Sequence, residues 1–304
     1  PARLVYKENS PRLPDPPPPV TPPTLIDEIW RTRRIPSSQS LIASHYLNPA
    51  LNTTNTAGPV FVVPSENCFL AIRHARAGLA KQQRVSPLGY AVLFRAYFYL
   101  FNMEMSIVPS AQVNDLRQLE LLSALNQFVA ANPKNLEAQL QLAFRYAGMQ
   151  FLDLADRHFE AAIKLMPEDA MLENLMLDGG REARFSKSDI VGFSENLKIE
   201  IDRVTYDLQQ LSSQLPSPVA QADYLVNRGC PGMAIDKLTE TSFTPGGLDV
   251  SSRLARLYIR VGQAGDHERG AERELVNMQG AGGMRPGAKK ELWAMVKLMQ
   301  GDYE

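Results

Sequence analysis

From Ser65 to the end of the chain, apolar side chains recur every three or four residues in one segment after another. That spacing lines one face of a helix and does not fit the two-residue alternation of a half-buried strand. Ser65 is placed to cap a helix whose apolar face is Phe69, Ile72, Ala75 and Leu79. Ser86-Pro87 opens a second helix running to about Met105, with proline at a first-turn position where its missing N–H costs nothing. A third occupies residues 111–131, with Val113, Leu116, Leu119, Leu122, Leu125 and Phe128 as its stripe and Asn132-Pro133 as its stop. The run Tyr90–Phe101 is apolar on nearly every side, Arg95 excepted. It has 12 residues, against the roughly 20 that a membrane-spanning helix needs. Burial at the centre of a helical domain over 65–132 is the expectation.

Beyond residue 132 the helices come in pairs. Leu142-Ala143, Tyr146, Ala155, Phe159, Ala162 and Pro167 follow one another at fixed intervals. Alanines let two helices approach, Tyr146 and Phe159 fill the space beside them, and Pro167 stops the second helix. Residues 136–167 resemble a tetratricopeptide repeat, a helix–turn–helix unit of about 34 residues. Weaker copies place Ala222, Leu225, Gly229, Ala234 and Leu238, and then Leu254-Ala255, Tyr258, Gly262, Ala271 and Leu275, at corresponding positions. The last copy requires an insertion of about four residues after Gln263. Gly229 and Gly262 stand 33 residues apart, close to one period. The resemblance implies an all-α, right-handed helical-repeat solenoid. Its repeats fall at 133–180 and 216–304, the latter with an amphipathic capping helix over 287–300, and residues 170–180 read as one helix of a truncated unit. Between the repeats, Ser186 to Asp189 resembles a capping box. After it, Leu197, Ile201, Val204, Leu208, Leu211 and Leu215 form a heptad seam, which predicts a long helix within 181–215 packed on a neighbour.

The first 64 residues differ in kind. Nine of the chain's 22 prolines lie in residues 1–24, a composition that favours polyproline II and cannot build a core. An extended arm is expected, followed by a short helix from Leu25 to about Arg34 closed by Pro36, and a strand or plug at Val60–Val63. Such an arm orders only against something, and Leu4, Val5 and Tyr6 are its natural anchor on a partner subunit. Residues 1–110 carry 11 basic and 6 acidic side chains and the remainder 21 and 27, so net charges of +5 and −6 sum to −1. The near-neutral total argues against nucleic-acid binding as the main task; the asymmetry suits head-to-tail association or a charged partner.

Little points to chemistry. Two cysteines, Cys68 and Cys230, and four scattered histidines give no metal-ligand spacing, no paired-thiol motif and no phosphate loop. Cys68 and Cys230 read as packing residues and His158 as a surface residue. No catalytic centre, cofactor or metal is expected. The resemblance implies binding through the first helix of each hairpin, which by position nominates Leu140 and Phe144, Asp223 and Asn227, and Arg256 and Arg260. The family's clamp for acidic tails is only partly met by Asn227, Arg256 and Arg260. The resulting expectation is a non-catalytic scaffold or structural subunit of a homo- or hetero-oligomeric assembly, partnered by other proteins and without a membrane span. A peptide-groove adaptor is the alternative and an all-helical enzyme the third choice. The compartment stays open between a cytoplasmic setting and the periphery of a larger assembly.

Overall fold

The structure, a computed structural model, describes residues 36–47, 63–81, 87–107, 111–168, 171–176, 182–241, 247–265, 270–278 and 286–301. The arm at 1–24, the helix expected at 25–34 and Val60–Val62 lie outside the described residues. Among those described there are 12 helices and two short strands, so the chain is all-α, with helices packed in neighbouring pairs. The chain divides into two compact units, residues 1–131 with 297–304, and residues 132–296.

The first unit holds α1 (Pro36–Tyr46), α2 (Ser65–Lys81), α3 (Pro87–Ile107) and α4 (Ala111–Ala131). Pro36 begins α1, consistent with the preference of proline for the first turn. The apolar run is the unit's centre: Val92, Leu93, Phe94, Ala96, Tyr97, Phe98, Leu100 and Phe101 of α3 are all buried, and Arg95 is exposed. Two expected core positions are not core. Phe69 is 47% exposed, with the Arg117 guanidinium 5.5 Å above its ring, and Leu116 is 45% exposed. The buried stripe of α4 starts a turn later, with Leu121, Leu122, Leu125 and Phe128. In α2, His74 is fully buried, donates to Gln39 Oε1 over 2.6 Å and stacks on Tyr46 at 5.7 Å.

The unit is completed by residues from the far end of the sequence. Arg76, 4% exposed, donates to the carbonyls of Gln300 at 2.9 Å and Met299 at 3.3 Å, and Ser123 Oγ donates to Met299 O at 3.1 Å. A cation at a helix C-terminus meets carbonyls that have no partner within the helix and the negative end of its dipole. Gly301 ends the helix with φ +70°, and a Cβ there would sit 2.5 Å from Arg76 Nε.

The second unit opens with the hairpin of α5 (Leu136–Gly148) and α6 (Leu152–Leu165). Asn135 caps α5, its side chain accepting from Ala138 N. Ala143, Tyr146, Ala155 and Phe159 are all buried in this hairpin. Residues 171–176 and 182–186 are strands, contrary to the reading of 170–180 as one helix of a truncated unit. β1 (Met171–Met176) and β2 (Glu182–Ser186) pair antiparallel, with Leu172 opposite Phe185 and Leu175 opposite Ala183. The intervening sequence contains Asp178-Gly179-Gly180, a hairpin signal that outranks a short helical period. Ser186 then starts α7 (Lys187–Gln210) with the expected capping box: Asp189 N donates to Ser186 Oγ at 3.2 Å, and Ser186 N donates to Asp189 Oδ2 at 2.8 Å. The helix lies along α6, with Ile190, Ser194 and Val204 buried and Leu197, Ile201 and Leu208 half-buried; Leu211 and Leu215 fall past its end. Two more hairpins follow, α8 (Pro218–Asn227) with α9 (Pro231–Thr241), and α10 (Gly247–Arg260) with α11 (Ala271–Asn277). The last helix, α12 (Pro286–Gln300), begins in this unit and gives its final residues to the first.

Candidate partner-binding surface

The three hairpins share one turn. Gln150, Gly229 and Gly262 occupy equivalent places with φ of 59°, 79° and 77°. In each, the next amide reaches back five residues: Phe151 N to Tyr146 O at 2.8 Å, Cys230 N to Leu225 O at 2.9 Å, and Gln263 N to Tyr258 O at 2.8 Å. This is the Schellman ending of a helix, which requires a left-handed residue. The second helices start alike, with Ala155 N donating to Phe151 O, Ala234 N to Cys230 O and Ala271 N to Gln263 O. The last of these spans eight residues instead of four, which locates the insertion of four. Ala143, Ala222 and Ala255, in register with one another, are all buried.

The turns also bind each other. Leu152 N donates to Gly229 O at 2.7 Å, and the Asp153 carboxylate accepts from Met233 N at 2.6 Å in the first turn of α9. Tyr146, fully buried, donates its hydroxyl to Val261 O at 2.8 Å and so joins the first hairpin to the third. Burial raises the Asp153 pKa from 3.8 to about 6, against the lowering effect of the Met233 and Leu154 amides and of Arg157.

His158, expected at the surface, is packed into the first hairpin. It stacks on Tyr146 at 5.7 Å and donates from Nδ1 to Gln139 Oε1 at 2.7 Å, while Gln139 Nε2 donates to Pro133 O at 2.8 Å. Burial lowers its pKa to about 4, with Arg157 adding to the shift. Burial, helped by Glu66, pushes the Cys68 thiol up to about 12, and burial with Asp153 nearby does the same to Cys230. Both thiols stay protonated at neutral pH, the unreactive form.

The nominated binding residues separate into three groups. Leu140 is fully buried, so it packs the hairpin and does not line a surface. Phe144 is half-buried and already covered by the chain itself, with the rings of Phe159 and Phe185 each 5.0 Å away and Phe193 at 5.6 Å. Asp223, Asn227, Arg256 and Arg260 are exposed on α8 and α10. Asp223 is ion-paired with Arg253, which ties the two helices together. The Arg260 guanidinium lies 5.2 Å over the buried ring of Phe151; Arg256 and Arg260 have no ion-pair partner among the described residues. Leu4, Val5 and Tyr6 lie outside the described residues.

Several functional expectations turn on residues that position alone misjudged. Phe185 and Phe193, whose rings pack on Phe144, belong to the segment between the first two hairpins, and the aromatic at Phe185 beside a hairpin signal is the clue to them in the sequence. Among the described residues no group of three or more His, Cys, Asp or Glu is placed to hold a metal ion, and no helix is long and apolar enough to cross a membrane. Compared with family models, with curated proteins and with solved structures, the chain finds no match.

Proposed function

We propose that residues 136–278 form a degenerate, right-handed tetratricopeptide-like array, and that the chain serves as a non-catalytic scaffold or structural subunit of a larger protein assembly. The observation that carries this reading is the triple recurrence of one turn at Gln150, Gly229 and Gly262, each locked to another hairpin. Helical arrays of this kind are built by repeating one hairpin, and their free helix faces bind other proteins. The exposed Asp223, Asn227, Arg256 and Arg260 supply such a face on α8 and α10, and the Pro-rich residues 1–24 supply a tether. Arg256 and Arg260 also favour the adaptor alternative, since unneutralised guanidiniums on a unit with 19 basic and 23 acidic side chains suit an acidic segment of a partner.

The test compares the full chain with two variants in extracts of the cells that express it: a deletion of residues 1–24, and R256E/R260E. Native-mass and sedimentation profiles should place the full chain in a complex of defined stoichiometry. Both variants, still folded by circular dichroism, should leave it. A chain that sediments alone in the extract, or variants that assemble at unchanged stoichiometry, would overturn the reading.

A further inference from the structure

We propose that the outer face of α7 is a docking surface for a basic amphipathic helix of a partner protein. One side of α7 belongs to the fold: Ile190, Ser194 and Val204 are buried, and the helix packs along α6. On the opposite side Ile199 is 64% exposed and Tyr206 62% exposed, the two most exposed large apolar side chains among the described residues. They stand seven residues apart, so they share one stripe about 10 Å long. A single exposed apolar residue is ordinary. Two in register on a free helix face form the pattern by which one helix recognises another.

The charge around the pair selects the occupant. Glu195 and Asp202, also a heptad apart, lie along one edge of the stripe, and Glu200 and Asp207 along the other. Both lysines of α7 are committed to this chain's own carboxylates, Lys198 to Glu160 and Lys187 to Glu168, each at 2.7 Å. That leaves Arg203 against four carboxylates, one positive charge against four negative, or −3 in all. None of the five is in an ion pair among the described residues. A second copy would set this acidic face against itself, and nucleic acid or an anionic membrane is repelled in the same way. A helix with two apolar side chains a heptad apart and Lys or Arg on both flanks meets Ile199 and Tyr206 with the first and the acidic edges with the second. The face is opposite in sign to Arg256 and Arg260 on α10, so the two surfaces take different partners.

The full chain is titrated by fluorescence anisotropy against a labelled helical peptide of lysine and alanine with leucines a heptad apart, its glutamate counterpart serving as control. Saturable binding of the lysine peptide is expected, weakening as salt rises, with none of the glutamate peptide. Ile199→Ala with Tyr206→Ala removes the apolar stripe at two exposed positions where alanine favours the helix, and should weaken binding about tenfold or more. Should that pair not fold, Glu195→Gln with Asp202→Asn reads the same face; it should weaken binding severalfold and flatten the salt dependence. Absence of saturable binding would overturn the proposal. So would an affinity unchanged in either variant, since a cationic peptide held elsewhere on an acidic unit does not need this face. A dimer of the full chain that Ile199→Ala with Tyr206→Ala dissolves would put a second copy on the face and refute the choice of partner.

Discussion

Gly229→Ala tests the hairpin junction at its narrowest point. The residue sits at φ +79°, where a side chain costs roughly 1–2 kcal/mol. An added Cβ would lie 2.4 Å from the carbonyl oxygen of Gln150, which is backbone and cannot rotate away. Relieving that overlap moves the two turns apart and strains the 2.7 Å hydrogen bond from Leu152 N to Gly229 O. Overpacking of this kind costs about 1–3 kcal/mol. The sum is about 2–5 kcal/mol, or roughly 6–15 °C in melting temperature for a unit of this size. Gln150→Gly is the matched control, because the left-handed position in the first turn carries a side chain at φ 59°. Its relief of strain is offset by about 0.5–1 kcal/mol of backbone entropy, so its stability should change little. Urea unfolding followed by circular dichroism, together with exchange at the Leu152 amide, measures both variants. A loss below about 0.5 kcal/mol in Gly229→Ala with the Leu152 amide still protected would show that the turns do not meet as described.

Ala155→Leu should overpack the first hairpin and lower stability by about 1–3 kcal/mol, since Ala155 is fully buried against α5; an unchanged urea midpoint would refute the close approach. His158 and Asp153 should pull stability in opposite directions on acidification. His158 has a folded pKa of about 4 against an ordinary 6.5, so its contribution is complete above pH 6.5 and lost as pH falls towards 4. Asp153, raised to about 6, contributes more as pH falls below 6. At pH 5 the two amount to about 2 kcal/mol lost and about 1.4 kcal/mol gained relative to pH 7. The wild-type chain should therefore vary little, His158→Gln should gain stability at pH 5 and Asp153→Asn should lose it. Parallel pH profiles for all three proteins would contradict the assignment.

The helical content was legible because its signals are local: caps at Ser65 and Ser186, prolines at first turns, and apolar residues at helical spacing. Gly229 and Gly262 marked two of the three equivalent turns, because a left-handed turn selects glycine. Gln150 conceals the same turn in the first hairpin, since nothing in its chemistry announces that conformation. The β-hairpin was missed where a helical period overrode Asp178-Gly179-Gly180. Exposure was the least legible property. His158 sits on the outward side of α6 when that helix is considered alone, and is half-buried because its ring finds Tyr146 and Gln139 on α5. Phe69 and Leu116 hold apolar-face positions in helices whose neighbours cover a different sector. Of the nominated surface, Asp223, Asn227, Arg256 and Arg260 are accessible, while Leu140 and Phe144 are used by the fold itself, a distinction set by tertiary neighbours that no spacing encodes.

The seat that Arg76 and Ser123 make for Met299 and Gln300 has a consequence for the order in which the chain is born. The residues of α2, α3 and α4 leave the ribosome first, but the turn they receive follows 170 residues after Ala131, at residue 301. At translation rates of about 5–20 residues per second, the buried guanidinium waits roughly 10–30 s for those carbonyls. During that interval residues 132–296 emerge and can fold on their own hairpins. The unit whose helices are made before the second is thus finished after it, and a chain that stops before Met299 leaves Arg76 and Ser123 without these carbonyl partners.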